Sequence, residues 1–117
     1  MSYDVYLEDP TTGSTVEFAE PHHSRGGTYV LGGTKEAWLN VTYNYSTILG
    51  RVIPGGIRSL YGKKAADTTR ALEDAILALG NEVDPDYWKP TEGNVKMSLI
   101  ALLDFAKARP DGVWRGD

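Results

Sequence analysis

The sequence predicts an α+β fold: a small antiparallel sheet of three to five strands, drawn from the N-terminal half and the C-terminus, packed against helices of the C-terminal half. Apolar and polar residues alternate through residues 3–8, 16–18 and 37–44, the period of a half-buried strand. From residue 65 onward apolar residues recur every three to four positions, the period of a helix. Glycine and proline punctuate the stretches between. At 117 residues the chain has the length of one domain, so residues 1–117 are expected to share one core.

Tyr3, Val5 and Leu7 alternate with Asp4, Tyr6 and Glu8. The turn-forming run Asp9 to Ser14 then precedes Val16-Glu17-Phe18, and together these predict a β-hairpin. Gly26-Gly27 and Gly32-Gly33 bracket Thr28 to Leu31, which reads as a short strand between tight loops. The clearest strand is Ala37 to Asn44, with Ala37, Leu39, Val41 and Tyr43 on the core face and Trp38, Asn40, Thr42 and Asn44 on the other.

Asn44 or Ser46 is expected to cap a short helix through Leu49 to Val52, followed by a loop at Pro54-Gly55-Gly56 and a turn from Ile57 to Tyr61 that Gly62 ends. Ala65 to Leu79 carries Leu72, Ala75, Ile76 and Leu79 on one stripe, with Gly80 as the stop. After a polar loop, Thr91 or Glu92 begins the last helix, which runs to about Ala108 before Pro110. Val95, Leu99, Leu102 and Ala106 mark one stripe of it, and Met97, Ile100, Ala101 and Phe105 fill much of the rest. A helix apolar nearly all round is either central to its fold or part of a subunit interface, and a homo-oligomer is expected on the second count. The Asp111-Gly112 turn then returns Val113 to Arg115 to the sheet.

Composition removes several function classes. Apolar residues make up 41% and charged residues 24%, a globular balance that argues against a chain disordered throughout. Without cysteine there are no disulfides, thiolate metal sites or cysteine nucleophiles. A net charge of -4 with dispersed Lys and Arg argues against nonspecific nucleic-acid binding, although Arg58, Lys63 and Lys64 form a local basic patch. No apolar run approaches a membrane span and Met1-Ser2-Tyr3-Asp4 lacks a signal-peptide layout, so the chain is expected in the cytoplasm.

Two constellations suit a ligand. Asn40, Thr42 and Asn44 project in parallel from a strand into a helix start, and amides that both donate and accept suit a base edge or a ribose. The bland alternative is β-propensity for Thr42 and capping for Asn44. Tyr87 and Trp88 precede a helix start at Gly93 and Asn94, placing a stacking surface beside backbone N–H groups that receive phosphate; against this, loop aromatics often fold into the core and Glu92 repels an anion. Glu20, His22 and His23 have metal-donor chemistry, but adjacent histidines on an extended segment point apart, so neither metal nor cofactor is expected. His22 is better suited to hydrogen bonding. Arg25 lies beside the first glycine pair as a partner for an anion. No nucleophile-and-base arrangement stands out, which favours a binding protein over an enzyme.

The segment Gly32-Gly33-Thr34 and Ala37-Trp38-Leu39-Asn40-Val41-Thr42-Tyr43-Asn44-Tyr45-Ser46 resembles a family of small proteins encoded by phages, prophages and their bacterial hosts. The resemblance continues through Tyr61-Gly62-Lys63, Asp86-Tyr87-Trp88, Thr91-Glu92-Gly93-Asn94 and Arg109 to Trp114. Lys64 departs from it, standing where a capping threonine is expected. The resemblance brings no catalytic residues with it. By analogy it implies a small phage protein that counters host defence, one class of which sequesters nucleotide immune signals, including ADP-ribose derivatives made by TIR-domain enzymes.

The leading expectation is therefore a sponge in the host cytoplasm that holds an ADP-ribose-type nucleotide without cleaving it. In that reading Asn40, Thr42 and Asn44 bond base or ribose, Trp38, Tyr45 or Trp88 stacks, and Arg25, Arg51 or the helix starts meet the pyrophosphate. His22 and Asn94 complete the expected ligand set. The alternatives are a protein-binding inhibitor of a host defence factor and a nucleotide-cleaving enzyme using His22 or His23.

Overall fold

The computed structural model describes residues 1–117. Strands β1 (Ser2–Glu8), β4 (Trp38–Thr42) and β5 (Val113–Arg115) form an antiparallel sheet in the order β4-β1-β5, and β2 (Glu17–His22) pairs with β3 (Thr34–Glu36) in a separate ribbon. Helices α1 (Ser46–Val52), α2 (Thr69–Leu77) and α3 (Glu92–Ala108) complete the α+β architecture. No helix is long and apolar enough to cross a membrane.

Alternation along β1 buries Val5 and Leu7, and both of its edges are occupied, by β4 from Ser2↔Thr42 to Tyr6↔Trp38 and by β5 from Tyr6↔Arg115 to Glu8↔Val113. The predicted hairpin consequently survives only at its turn. Val16 N–H still bonds Leu7 C=O at 2.9 Å, but Glu17 onward leaves to pair with β3. The predicted strand at Thr28 to Leu31 is a loop instead: Thr28 N–H is taken by the Asn40 side chain, Val30 C=O closes a turn onto Gly33 N–H at 3.0 Å, and the preceding Gly26 meets β4 only at the isolated bridge Gly26↔Val41. Tyr43 to Tyr45 form a 3-10 turn capped by Thr42, whose Oγ1 accepts from Asn44 N–H at 3.1 Å, and α1 follows directly with Tyr45 at its N-cap position and no side-chain cap, so neither Asn44 nor Ser46 caps it.

One cluster of buried side chains joins the three-stranded sheet to the helices, from Val5 and Leu7 through Leu39, Tyr45 and Leu72 to Leu102 and Trp114, with Phe18 of β2 packed against it. Each large side chain in it contributes about 1.5–3 kcal/mol by leaving water. Residues 65–79 split into a 3-10 turn (Ala65–Asp67) and α2, whose buried residues are Leu72 and Ala75. Helix α3 starts at the expected Thr91 cap, where Oγ1 accepts from Asn94 N–H at 3.1 Å. It packs against α2 and β4, and Phe105 also carries Phe18 at 5.6 Å and the His22 ring at 4.9 Å from the β2–β3 ribbon. Its all-round apolar character is thus mostly that of a central helix; Met97 and Ile100 are the large apolar residues it leaves exposed.

Candidate ligand-binding site

The second face of β4 is covered by the chain itself. Asn40 is 5% exposed, its Oδ1 accepts from Thr28 N–H at 2.8 Å, and its Nδ2 donates to Ser2 Oγ at 2.7 Å and Asp4 Oδ1 at 2.8 Å. Thr42 N–H donates to Gly26 C=O at 2.8 Å. Of the row predicted to read a ligand, the Asn40 side chain is therefore spent on Thr28 N–H and on the Ser2 and Asp4 side chains of β1, the Thr42 hydroxyl on Asn44 N–H, and the Asn44 amide on Trp88 C=O. Gly26 permits the approach from the other side, since a Cβ there would lie 2.7 Å from Ser98 Oγ on α3. A loop buried against a sheet must find partners for its peptide groups, and Asn40 supplies one.

What this anchoring holds at the surface is Arg25 and Tyr29. The Arg25 guanidinium lies 3.9 Å from the Tyr29 ring centroid and 5.9 Å from that of Tyr87, while Tyr29 meets Tyr87 edge-on at 6.1 Å. Tyr87 in turn stacks on exposed Trp88 at 5.6 Å and 30°. Every other arginine has an internal partner: Arg51 with Glu92 at 3.1 Å, Arg58 with Asp117 C=O at 2.9 Å, Arg70 with Asp74 at 3.9 Å, Arg109 with Asp9 and Asp111, and Arg115 with Glu8 at 3.2 Å. Arg25 has neither a hydrogen bond nor a carboxylate on its guanidinium, and unlike the exposed Arg70, whose contact with Asp74 at 3.9 Å is too long for a hydrogen bond, its plane is held by an aromatic face.

The loop carrying Tyr87 and Trp88 is fixed by amides from two elements. Asn94, 5% exposed, accepts from Asp84 N–H at 3.2 Å and donates to Asp86 C=O at 3.3 Å and Lys89 C=O at 3.0 Å. Asn44 Nδ2 donates to Trp88 C=O at 3.0 Å, and buried Tyr45 donates its hydroxyl to Tyr87 C=O. Desolvation of the Tyr45 hydroxyl, followed by the nearby Tyr87 and Asp86 charges, pushes its pKa up to about 12. The strand end and the Trp88 loop are therefore joined, through these internal bonds.

Several expected ligand contacts are spent in the same way. Arg51 pairs with Glu92, whose carboxylate also accepts from Gly80 N–H at 2.8 Å, and Gly93 N–H donates to Glu82 C=O at 2.7 Å, so the start of α3 is occupied. The bond from Gly80 is the main reason the Glu92 carboxyl sits below its ordinary pKa. His22 Nε2 donates to Glu36 C=O at 2.7 Å and Nδ1 accepts from Ser24 N–H at 3.4 Å, which engages both ring nitrogens. No three metal-donor side chains come together anywhere in the chain. Trp38 is half-buried and lines a small cavity with the Gly32-Gly33 turn.

Of the expected set, Arg25, Trp38 and Trp88 thus remain available to a ligand, Asn44 is exposed but bonded, and Asn40, Thr42, Tyr45 and Asn94 are buried. Tyr29 joins the site from a segment read as strand. Its only sequence signal is a spacing of four residues from Arg25 between two glycine pairs. Two concavities flank residues 23–25, one of about 90 Å³ toward Trp38 and one of about 230 Å³ toward Tyr87 and Met97. The fold and this site define a small α+β protein with an aromatic and arginine-bearing recess. The chain matches no family model, no curated protein and no solved structure.

Proposed function

We propose that this chain is a phage-type anti-defence binding protein that sequesters a nucleotide signal of the ADP-ribose type and leaves it intact. The observation that carries this reading is Arg25: a guanidinium with free donors, stacked on Tyr29, beside the exposed Trp88 shelf and between two concavities. A phosphate takes up free guanidinium donors, and a base takes up an aromatic face. Of the two histidines in the cleaving alternative, His22 has both ring nitrogens used within the protein, while His23 lines both concavities, so the recovered ligand decides between retention and cleavage.

The test is a thermal-shift titration with ADP-ribose, cyclic ADP-ribose isomers and cyclic dinucleotides, followed by chromatography of the released ligand. A ligand at a hundredfold over its Kd stabilises the native state by about 2.7 kcal/mol, a shift of several degrees in a chain of this size. Recovery of an unaltered ligand is the expected result. Recovery of a cleaved product overturns sequestration in favour of an enzyme, and no shift with any nucleotide overturns the reading as a whole.

A further inference from the structure

A separate groove of about 230 Å³ lies between β2 and the C-terminal half of α3 and has only Ser24 in common with the Tyr87 and Met97 concavity. Its floor is apolar. Phe18 projects from β2 onto Phe105 with ring centroids 5.6 Å apart, and Ala101 and Ala108, about two helical turns apart, leave the surface of α3 low beside it. Its rim is acidic, with Glu20 on the β2 side and Asp104 on the α3 side, both exposed. Neither carboxylate takes part in an ion pair within the protein, and no lysine or arginine lines the groove.

The surroundings have the same sign. Across the β2–β3 ribbon Glu17 stands directly opposite Glu36, a like-charge pair that costs stability, and Lys35 is the only lysine or arginine on either strand. Ala108 lies at the C-terminal end of α3, where the helix dipole is negative; Lys107 in that last turn does not line the groove.

We propose that this groove docks an arginine side chain of a basic partner protein. An apolar floor alone suits any aliphatic side chain, and an acidic rim alone suits any cation; together they fit an apolar stem that ends in a positive head. A guanidinium stacks on an aromatic face and presents five donors in one plane, so it uses Phe18 and both carboxylates, which a compact ammonium does less well. A cavity of about 150 Å³ holds benzene, and a guanidinium has fewer heavy atoms than benzene, so head and stem both have room. The negative field of the ribbon would speed the approach of a basic surface. Arg25 and Trp88 do not line this groove, so arginine docking and nucleotide binding stand or fall separately.

The test is an NMR titration of the isotope-labelled intact protein with N-acetyl-arginine amide, against N-acetyl-norleucine amide and N-acetyl-lysine amide. Saturable shifts at Phe18, Ala101, Phe105 and Ala108 are expected, with arginine bound at least about threefold tighter than either comparison compound. Glu20→Gln and Asp104→Asn, both at exposed positions, should each weaken arginine by about two- to fivefold, the size of an exposed ion pair, and leave norleucine unchanged. Norleucine bound as tightly as arginine, or arginine affinity untouched by both substitutions, would overturn the charge-matched groove, and lysine bound as tightly as arginine would overturn the choice of arginine. Sedimentation of the unliganded protein tests the partner: a monomer supports a separate protein, whereas a dimer that Asp104→Asn disperses would give the groove to a second copy of this chain and overturn the assignment.

Discussion

Two arginines mark opposite uses of the same side chain. At the β5 end, Arg109 donates Nε to Asp111 Oδ1 at 3.0 Å and Nη2 to Asp111 Oδ2 at 2.9 Å and Asp9 Oδ2 at 3.2 Å, so its fork is filled by two carboxylates from separate turns. These hydrogen bonds, Asp111 before Asp9, raise its pKa further above an already high value. At the other corner Arg25 has the same fork, no carboxylate, and an aromatic face beneath it. The filled fork ties the β1–β2 turn to the turn before β5, whereas the unfilled one ties nothing. The difference teaches that the Arg109 corner is built for the fold and that the Arg25 corner has spare binding capacity.

The sharpest way to break this comparison is to remove each arginine in turn. Arg25→Ala should weaken nucleotide binding by roughly 10- to 100-fold, the equivalent of about 1.5–3 kcal/mol for charge-assisted hydrogen bonds, with the unliganded melting temperature unchanged. Calorimetry and a melting curve on one preparation check both halves. Arg109→Ala should do the reverse, lowering the melting temperature and sparing affinity. A melting temperature that falls for Arg25→Ala and not for Arg109→Ala would reverse the assignment.

The closed corner is sharpened next by its buried hydrogen bond. The Trp114 indole N–H donates to Thr68 Oγ1 at 2.8 Å, both residues being almost wholly buried. Thr68→Val keeps the volume and orphans the indole N–H, so it should cost about 1–3 kcal/mol in a urea or thermal denaturation. No change in nucleotide affinity is expected.

Acid separates the corners by a smaller effect. Backbone N–H from Thr11, then the Arg109 hydrogen bond, hold the Asp9 carboxyl below its ordinary pKa, and the Arg109 hydrogen bond does the same for Asp111. Groups depressed in the folded state add stability that is complete above the unfolded carboxylate value of about 4 and is lost as pH falls through their folded values. Wild type should lose stability across that acid range, and Arg109→Ala should lose less, as read by denaturation midpoints from pH 6 to pH 2.

The smallest predicted change is at the shelf. Asn44 holds the Trp88 carbonyl from an exposed position, so Asn44→Ala should loosen the Trp88 loop, raise its amide exchange and weaken binding only a few-fold. An effect on binding as large as that of Arg25→Ala would make Asn44 a ligand contact rather than a positioning residue.

Much of the fold was legible because its signals are local. Thr91 and Pro110 bracket α3, Gly62 with φ +84° ends the turn before α2, and the alternation of Ala37, Leu39 and Val41 marks the buried face of β4. The site was legible only in part. Asn40 and Asn94 looked like ligand readers because an amide has the same donors and acceptors whether it meets a nucleotide or a peptide group. Which of the two it meets depends on where a separate loop packs, that of Thr28 for Asn40 and that of Asp84 to Lys89 for Asn94.

The sequence by itself determined the class, the positions of most elements and the candidacy of Arg25 and Trp88, since periodicity, caps and residue chemistry act within a few positions. Tertiary structure alone decided that β2 leaves β1 for β3, that Asn40 and the Thr42 N–H meet the backbone of residues 26–28, and that Arg25, Tyr29 and Tyr87 converge. The physical reason is that edge pairing and the choice of hydrogen-bond partner are settled by competition among groups far apart in the chain, and no local pattern records which of them wins.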